Sequence, residues 1–228
     1  MDMMLTDMQL LSLLQLTSSA LPVGAYSYSE GLEMLVENGI ITSAESLQNW
    51  LESELKYGAI RMEAAVMIRA YEAVKALDLQ LLSYWNQWLS AARETEEMRS
   101  ASWQMGRSLI QLLEKLHPQI KSITSTAGNP CNYAIAFGIA LAHHQINIQA
   151  GLLGYLYSWV SNLITAGVKL IPLGQTAGQQ LIRFLQPLLT NNAAQITAMV
   201  DDELSCCSWG LSLASMQHET QYTRLFRS

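Results

Sequence analysis

Apolar residues recur at three- and four-residue steps along almost the whole chain. Leu47, Trp50, Leu51 and Leu55 fall on one side of a helical wheel, and Glu52 and Lys56 pair on its outer face. Thr42 followed by Glu45 has the spacing of a capping box and predicts a helix that starts near Ser43. The next helix is predicted over 60–77, with Gly58 marking a bend before it. Asp78 can cap the one after, whose apolar positions include Leu81, Leu82, Trp85, Trp88 and Leu89. Residues 93–116 continue as the most charged helix, with Glu94, Glu96, Glu97 and Arg99 on a solvated face, and His117-Pro118 ends it. After a turn at Gly128-Asn129-Pro130, helices are predicted over 131–144, 148–170, 174–189 and 193–214, with Pro172 and Pro187 limiting two of them. Residues 1–16 read as a further amphipathic helix. No segment alternates with a period of two between turn dipeptides, so no strands are expected. The pattern predicts an all-α fold: a single-domain bundle of roughly eight to ten helices over residues 1–228, without repeats or linkers.

One window departs from this amphipathic norm. Between Lys121 and Lys169 there is no Asp, Glu, Lys or Arg, only His143 and His144. Residues 148–168 are long enough to cross a bilayer. Gln149, Ser158, Ser161, Asn162 and Thr165 make that stretch polar for a lone spanning helix, and a central buried helix of a bundle is the better expectation. A membrane span through 148–168 is the competing one.

Composition narrows the class of function. Half of the 228 residues are apolar and only 14 % are charged, so much of the surface must be uncharged or apolar, as in proteins that live in complexes. The net charge of −6 and the lack of a basic stripe argue against nucleic acid. Three cysteines, Cys131, Cys206 and Cys207, form neither a disulfide framework nor a C-x-x-C pair, which points to the reducing cytoplasm and away from a thiolate zinc site. The start of the chain lacks the basic residues of a secretory signal.

No motif carries catalytic logic. There is no G-x-S-x-G and no phosphate-binding loop. His218-Glu219 lacks a second histidine four residues on, where Tyr222 stands, so His218 reads as a surface histidine. His143 and His144 are adjacent, point about 100° apart on a helix and so are not expected to chelate one ion together, and have no acidic or thiol neighbour. No ligand set with metal spacing is visible, and neither a metal site nor a cofactor is expected. A helical enzyme using Cys206, Cys207, His218 or Glu219 is left open, since spatial neighbours decide it.

Two segments resist the amphipathic account, and they are the specific ones. The run from Leu21 to Glu33, LPVGAYSYSEGLE, and the ending from Ser215 to Ser228, SMQHETQYTRLFRS, resemble the two signatures of the UreF family; Lys169 to Thr176, KLIPLGQT, resembles its internal segment. The match spans nearly the whole chain in order. Ala25 stands where a second glycine is common and Glu30 where Gln is common. The resemblance implies a non-catalytic, all-α homodimer. It implies binding to the accessory protein UreD (UreH) and, through that complex, to the GTPase UreG and the urease apoprotein, whose nickel insertion it supports. The same resemblance makes Tyr26 the candidate dimer contact, Glu33 and Lys169 candidates for the UreG-facing surface, and Gln175 a candidate partner-binding residue. Tyr222, Arg224, Phe226, Arg227 and Ser228 become candidates for a docking tail over 215–228, mobile until UreD orders it.

Overall fold

The computed structural model describes residues 4–206, 209–218 and 224–227, with Trp209 described by its backbone alone. Among these residues there are eleven α-helices and no strand. They run α1 (Asp7–Leu16), α2 (Leu32–Glu37), α3 (Ala44–Tyr57), α4 (Ala59–Lys75), α5 (Leu79–Ala92), α6 (Glu96–Leu116), α7 (Lys121–Ala127), α8 (Tyr133–His143), α9 (Ile148–Leu170), α10 (Gln175–Ala198) and α11 (Trp209–His218). The all-α expectation holds. The count exceeds eight to ten because α2 and α7 are too short to show a periodic stripe.

Local chemistry explains most boundaries. Thr6 accepts from the Gln9 backbone N–H while the Gln9 side chain accepts from that of Thr6, a reciprocal cap that starts α1. Ser43 and Ser46, rather than Thr42 and Glu45, cap α3, so the expected start is right and the capping pair is displaced by one residue. Asp78 caps α5 as expected, at 2.9 Å to Leu81 N–H. Thr95 caps α6, so residues 93–95 form the connection between α5 and α6 rather than its first turn. Pro187 does not end a helix: α10 runs through it. A proline inside a helix costs about 3 kcal/mol. Here Leu181, Leu185, Leu189, Ala193 and Ile196 form one buried stripe across it, and that burial outweighs the lost bond. The chain breaks later, after Met199, and α11 follows.

The helix buried on all sides is α8, not α9. Every residue from Ala134 to Ala142 is buried. Helix α9 is amphipathic instead, with Leu152, Leu156, Val160 and Leu163 inward and Leu153, Tyr157 and Thr165 outward. Among the described residues no helix is long and apolar enough to cross a membrane. The base of α8 is fixed by Asn132, fully buried, whose amide donates to Asn86 Oδ1 at 2.9 Å and to Ser90 Oγ at 2.7 Å. Its own Oδ1 accepts from Ser102 at 3.1 Å. These bonds tie α5 and α6 to one end of α8 and leave its buried polar groups paired.

Helix α4 crosses α8 at Gly138, where an added Cβ would lie 2.6 Å from the Met67 carbonyl oxygen. Backbone cannot yield as a flexible side chain can. Gly138→Ala is therefore expected to lower stability by about 1–3 kcal/mol despite the better helix propensity of alanine. A denaturant melt showing an unchanged or higher midpoint would contradict this crossing.

Candidate functional site

The two unusual segments of the sequence, at opposite ends of the chain, meet in space. Glu33 lies in the first turn of α2 and is 7 % exposed. Its carboxylate accepts the backbone N–H groups of Leu225 at 2.6 Å and Phe226 at 2.9 Å. The same carboxylate faces Nε2 of His218 at 3.3 Å, and His218 Nδ1 faces Glu97 at 2.8 Å. Arg227 N–H donates to the Ser27 carbonyl at 2.8 Å. Phe226 is buried in the core, and Lys169 Nζ stands 5.5 Å from the centre of its ring.

The folding reason is local. Gly31 has φ +81°, a conformation open to glycine, and it starts α2 with Glu33 turned inward. An added Cβ there would lie 3.0 Å from Leu211, so the same glycine lets α11 approach. Helix α11 then carries His218 between two carboxylates. With a carboxylate at each ring nitrogen, both nitrogens serve best as donors. The Glu97 hydrogen bond, acting against burial, raises the His218 pKa above its ordinary value and favours the imidazolium. His218 is thus fully buried, a correction to its expected place on the surface: its charge is matched on both sides, which is what permits burial.

Of the residues expected to bind partners, Glu33, Lys169, Arg224, Phe226 and Arg227 come together here. Glu33 is the seat of the tail rather than an exposed group. Phe226 turns into its own chain, and the outward apolar side chain is its neighbour Leu225, 63 % exposed, flanked by the exposed Arg224 and Arg227. Arg224 also reaches Glu97 at 3.6 Å. The segment 224–227 is held by backbone bonds to Glu33 and Ser27, in contrast to the expected mobile tail. Gln175 opens α10, is exposed, and makes none of these contacts. Tyr26 is 65 % exposed. Tyr222 and Ser228, like Cys207 and Glu219, lie outside the described residues.

Behind the turn lies a cavity of about 300 Å³ whose lining includes Tyr28, Glu30, Glu63, Arg93, Tyr155 and Trp159. Arg93 and Glu63 form a buried ion pair, and Tyr155 donates to the second Glu63 oxygen at 3.4 Å. Trp159 Nε1 donates to Glu30 at 2.9 Å. Burial first, and the nearby Glu63 second, push the Glu30 carboxyl up to about 7. Glu30 is not helical: its φ is +52°. This group was not legible, because its members come from four elements and Glu30 reads in sequence only as a departure from a common Gln.

Of the groups proposed for an enzyme, Cys206 and His218 lie among the described residues, and no hydrogen bond joins the two. Cys206 Sγ lies 3.0 Å from Glu94; burial and that carboxylate push its thiol up to about 12, as burial does for Cys131. Both thiols hold their protons at neutral pH. The adjacent histidines are a different matter. His143 ends α8, His144 caps it, and His117, which caps α6, packs against both, with ring centroids 4.6 and 5.1 Å away. Ligand atoms on all three rings lie within 4.8 Å of one another. The expectation that no ligand set exists is therefore corrected: His117 is 26 residues away along the chain, and only the packing of α6 on α8 brings it in.

The fold and this site define an all-helical protein whose two end segments close on each other over a buried carboxylate. Comparison with known proteins narrows that class. A family model described as UreF matches residues 41–186. A urease accessory protein UreF from Nostoc sp. is 71 % identical over 224 residues, covering 98 % of each chain. Those of Microcystis aeruginosa and Pseudoalteromonas translucida are 56 % and 40 % identical, over 99 % and 98 % of this chain and 100 % and 96 % of their own. The chain belongs to the UreF family.

The Glu30 cluster gives a pH test. In the unfolded chain a glutamate ionises near its ordinary value of about 4.3. In the folded chain Glu30 holds its proton to about 7, so the folded state is favoured at low pH and loses that advantage as pH rises from about 4.5 through 7. Glu30→Gln keeps an acceptor for Trp159 and removes the charge. It is expected to stabilise the protein by on the order of 1–3 kcal/mol at pH 8 and to change little at pH 4.5. Melts at the two pH values check this; an equal shift at both would refute the raised value.

Proposed function

We propose that this chain is a non-catalytic scaffold of urease maturation. It acts in the cytoplasm with UreD (UreH) and the GTPase UreG to promote insertion of nickel, the cargo, into the urease apoprotein, and it bears on the GTP hydrolysis of UreG. The observation that carries this reading is the seated C-terminal segment. Glu33 holds the backbone of residues 225 and 226, and Phe226 is the inward plug. Arg224, Leu225 and Arg227 are thereby left facing outward as a basic-apolar row on a chain of net charge −6. Such a row suits a partner surface that offers carboxylates around an apolar pocket. Protonated thiols at Cys131 and Cys206 favour a scaffold over a thiol enzyme.

The row is the proposed UreD contact, joined by Tyr222 and Ser228. Lys169 and Gln175, both exposed, are the proposed UreG-facing groups, together with Glu33, which seats the tail. Tyr26 is the proposed dimer contact. The proposed dimer face also takes in α1, whose Met8, Leu11 and Leu14 recur at helical spacing and are all exposed.

Two measurements test the proposal. With tagged UreD co-expressed alongside UreG and the urease apoprotein, Leu225→Gln is expected to weaken capture about tenfold while leaving the thermal melt unchanged, because the side chain faces outward. Capture at wild-type strength would remove the docking row. Light scattering of the isolated protein is expected to give two copies of the 25.4 kDa chain, and Tyr26→Asp one. A wild-type monomer at micromolar concentration would remove the dimer.

A further inference from the structure

The chain has four histidines, and three of them, His117, His143 and His144, are gathered in one place at the ends of α6 and α8. The elements that hold them are fixed. Helix α6 packs along α8, and both end at this point. Gln145, at φ +55°, turns the chain away directly after His144, and its carbonyl is held by the Gln9 side chain at 2.7 Å. The rings meet at steep angles, 52°, 82° and 73°, so they do not stack as a flat apolar pile. Each is half-buried. Among the described residues, no side chain or backbone group hydrogen-bonds to a ring nitrogen of any of the three.

Three imidazoles with free nitrogens and no protein partner are a donor set in search of an acceptor. Carboxylates and thiols are missing from the cluster, which disfavours calcium and magnesium and suits the borderline late first-row ions. The three supply a tripod with half its surroundings open, the arrangement that leaves a further position for water or for a ligand from another molecule.

We propose that His117, His143 and His144 form a binding site for one divalent late first-row cation, Ni²⁺, Zn²⁺ or Cu²⁺, with an open coordination position. Nitrogens now within 4.8 Å need to close to about 3.3 Å around an ion at about 2.0–2.1 Å from each. The three rings sit at the ends of α6 and α8, so this closure falls on side chains at helix termini. The site does not depend on the scaffold role: it belongs to the isolated chain and is read without any partner.

The test uses the full chain without a histidine tag. Calorimetric titration with Ni²⁺ and with Zn²⁺ at pH 7.5 is expected to show one ion per chain, with a Kd tighter than about 0.1 mM. His117→Gln, His143→Gln and His144→Gln are each expected to weaken binding about tenfold or more, with metal-free melts unchanged. If a variant fails to fold, X-ray absorption of the nickel-loaded wild type decides, because three imidazole nitrogens on the ion support the site and one or none overturns it. Binding weaker than millimolar, or binding that all three variants retain at wild-type strength, overturns it as well.

Discussion

Between Ala134 and Ala142 helix α8 has no face that meets water, and that constraint organises the molecule. A stretch of alternating alanine with Ile135, Phe137, Ile139 and Leu141 gains nothing from solvent on any side, so other helices must cover all of it. Small residues on α8 let α4 come close enough for backbone contact at Gly138. Asn132, with bonds to α5 and α6, closes the one polar point at its base. Once α8 is wrapped, the ends of α6 and α8 coincide, and the positions of the histidine cluster and of Arg93 beneath the turn follow from it.

A second layer of the fold is electrostatic. The chain is poor in charge, yet it buries Glu33, Glu63 and His218, with Arg93 and Glu97 largely covered beside them, near the segments that distinguish its sequence. Each is tolerated because an opposite charge or a backbone N–H lies against it. Charged groups that cost free energy to bury hold the two ends of the chain in a single register, which apolar packing alone specifies less sharply. The arrangement gives the outward row Arg224, Leu225 and Arg227 a rigid base.

Much of the fold was legible. The periodic stripes located α3, α4, α5, α8 and α9 closely, because amphipathic or uniformly apolar helices write themselves into local sequence. Boundaries failed where tertiary burial overrode a local rule, as at Pro187 inside α10. The site was legible only through the resemblance. That resemblance brought forward Glu33, Lys169, Arg224, Phe226 and Arg227, and the structure gathers them. It could not show which way they face, since Phe226 and Leu225 are adjacent and equally apolar, and only the Glu33 bonds decide which one turns inward. His117, Glu30 and Arg93 were invisible as a matter of principle: their neighbours are distant in the chain.

The bond from Leu225 to Glu33 joins residues 192 positions apart. A ribosome delivers residues 224–227 after every helix described here. The N-terminal turn must therefore wait, with its carboxylate short of the two backbone N–H groups it accepts in the finished fold, until the last of these residues has emerged. Partners that recognise the outward row would have nothing to grip on a nascent or C-terminally shortened chain. In the proposed assembly, recognition of the finished surface doubles as inspection: a chain lacking residues 224–227 is passed over without any separate device to detect it.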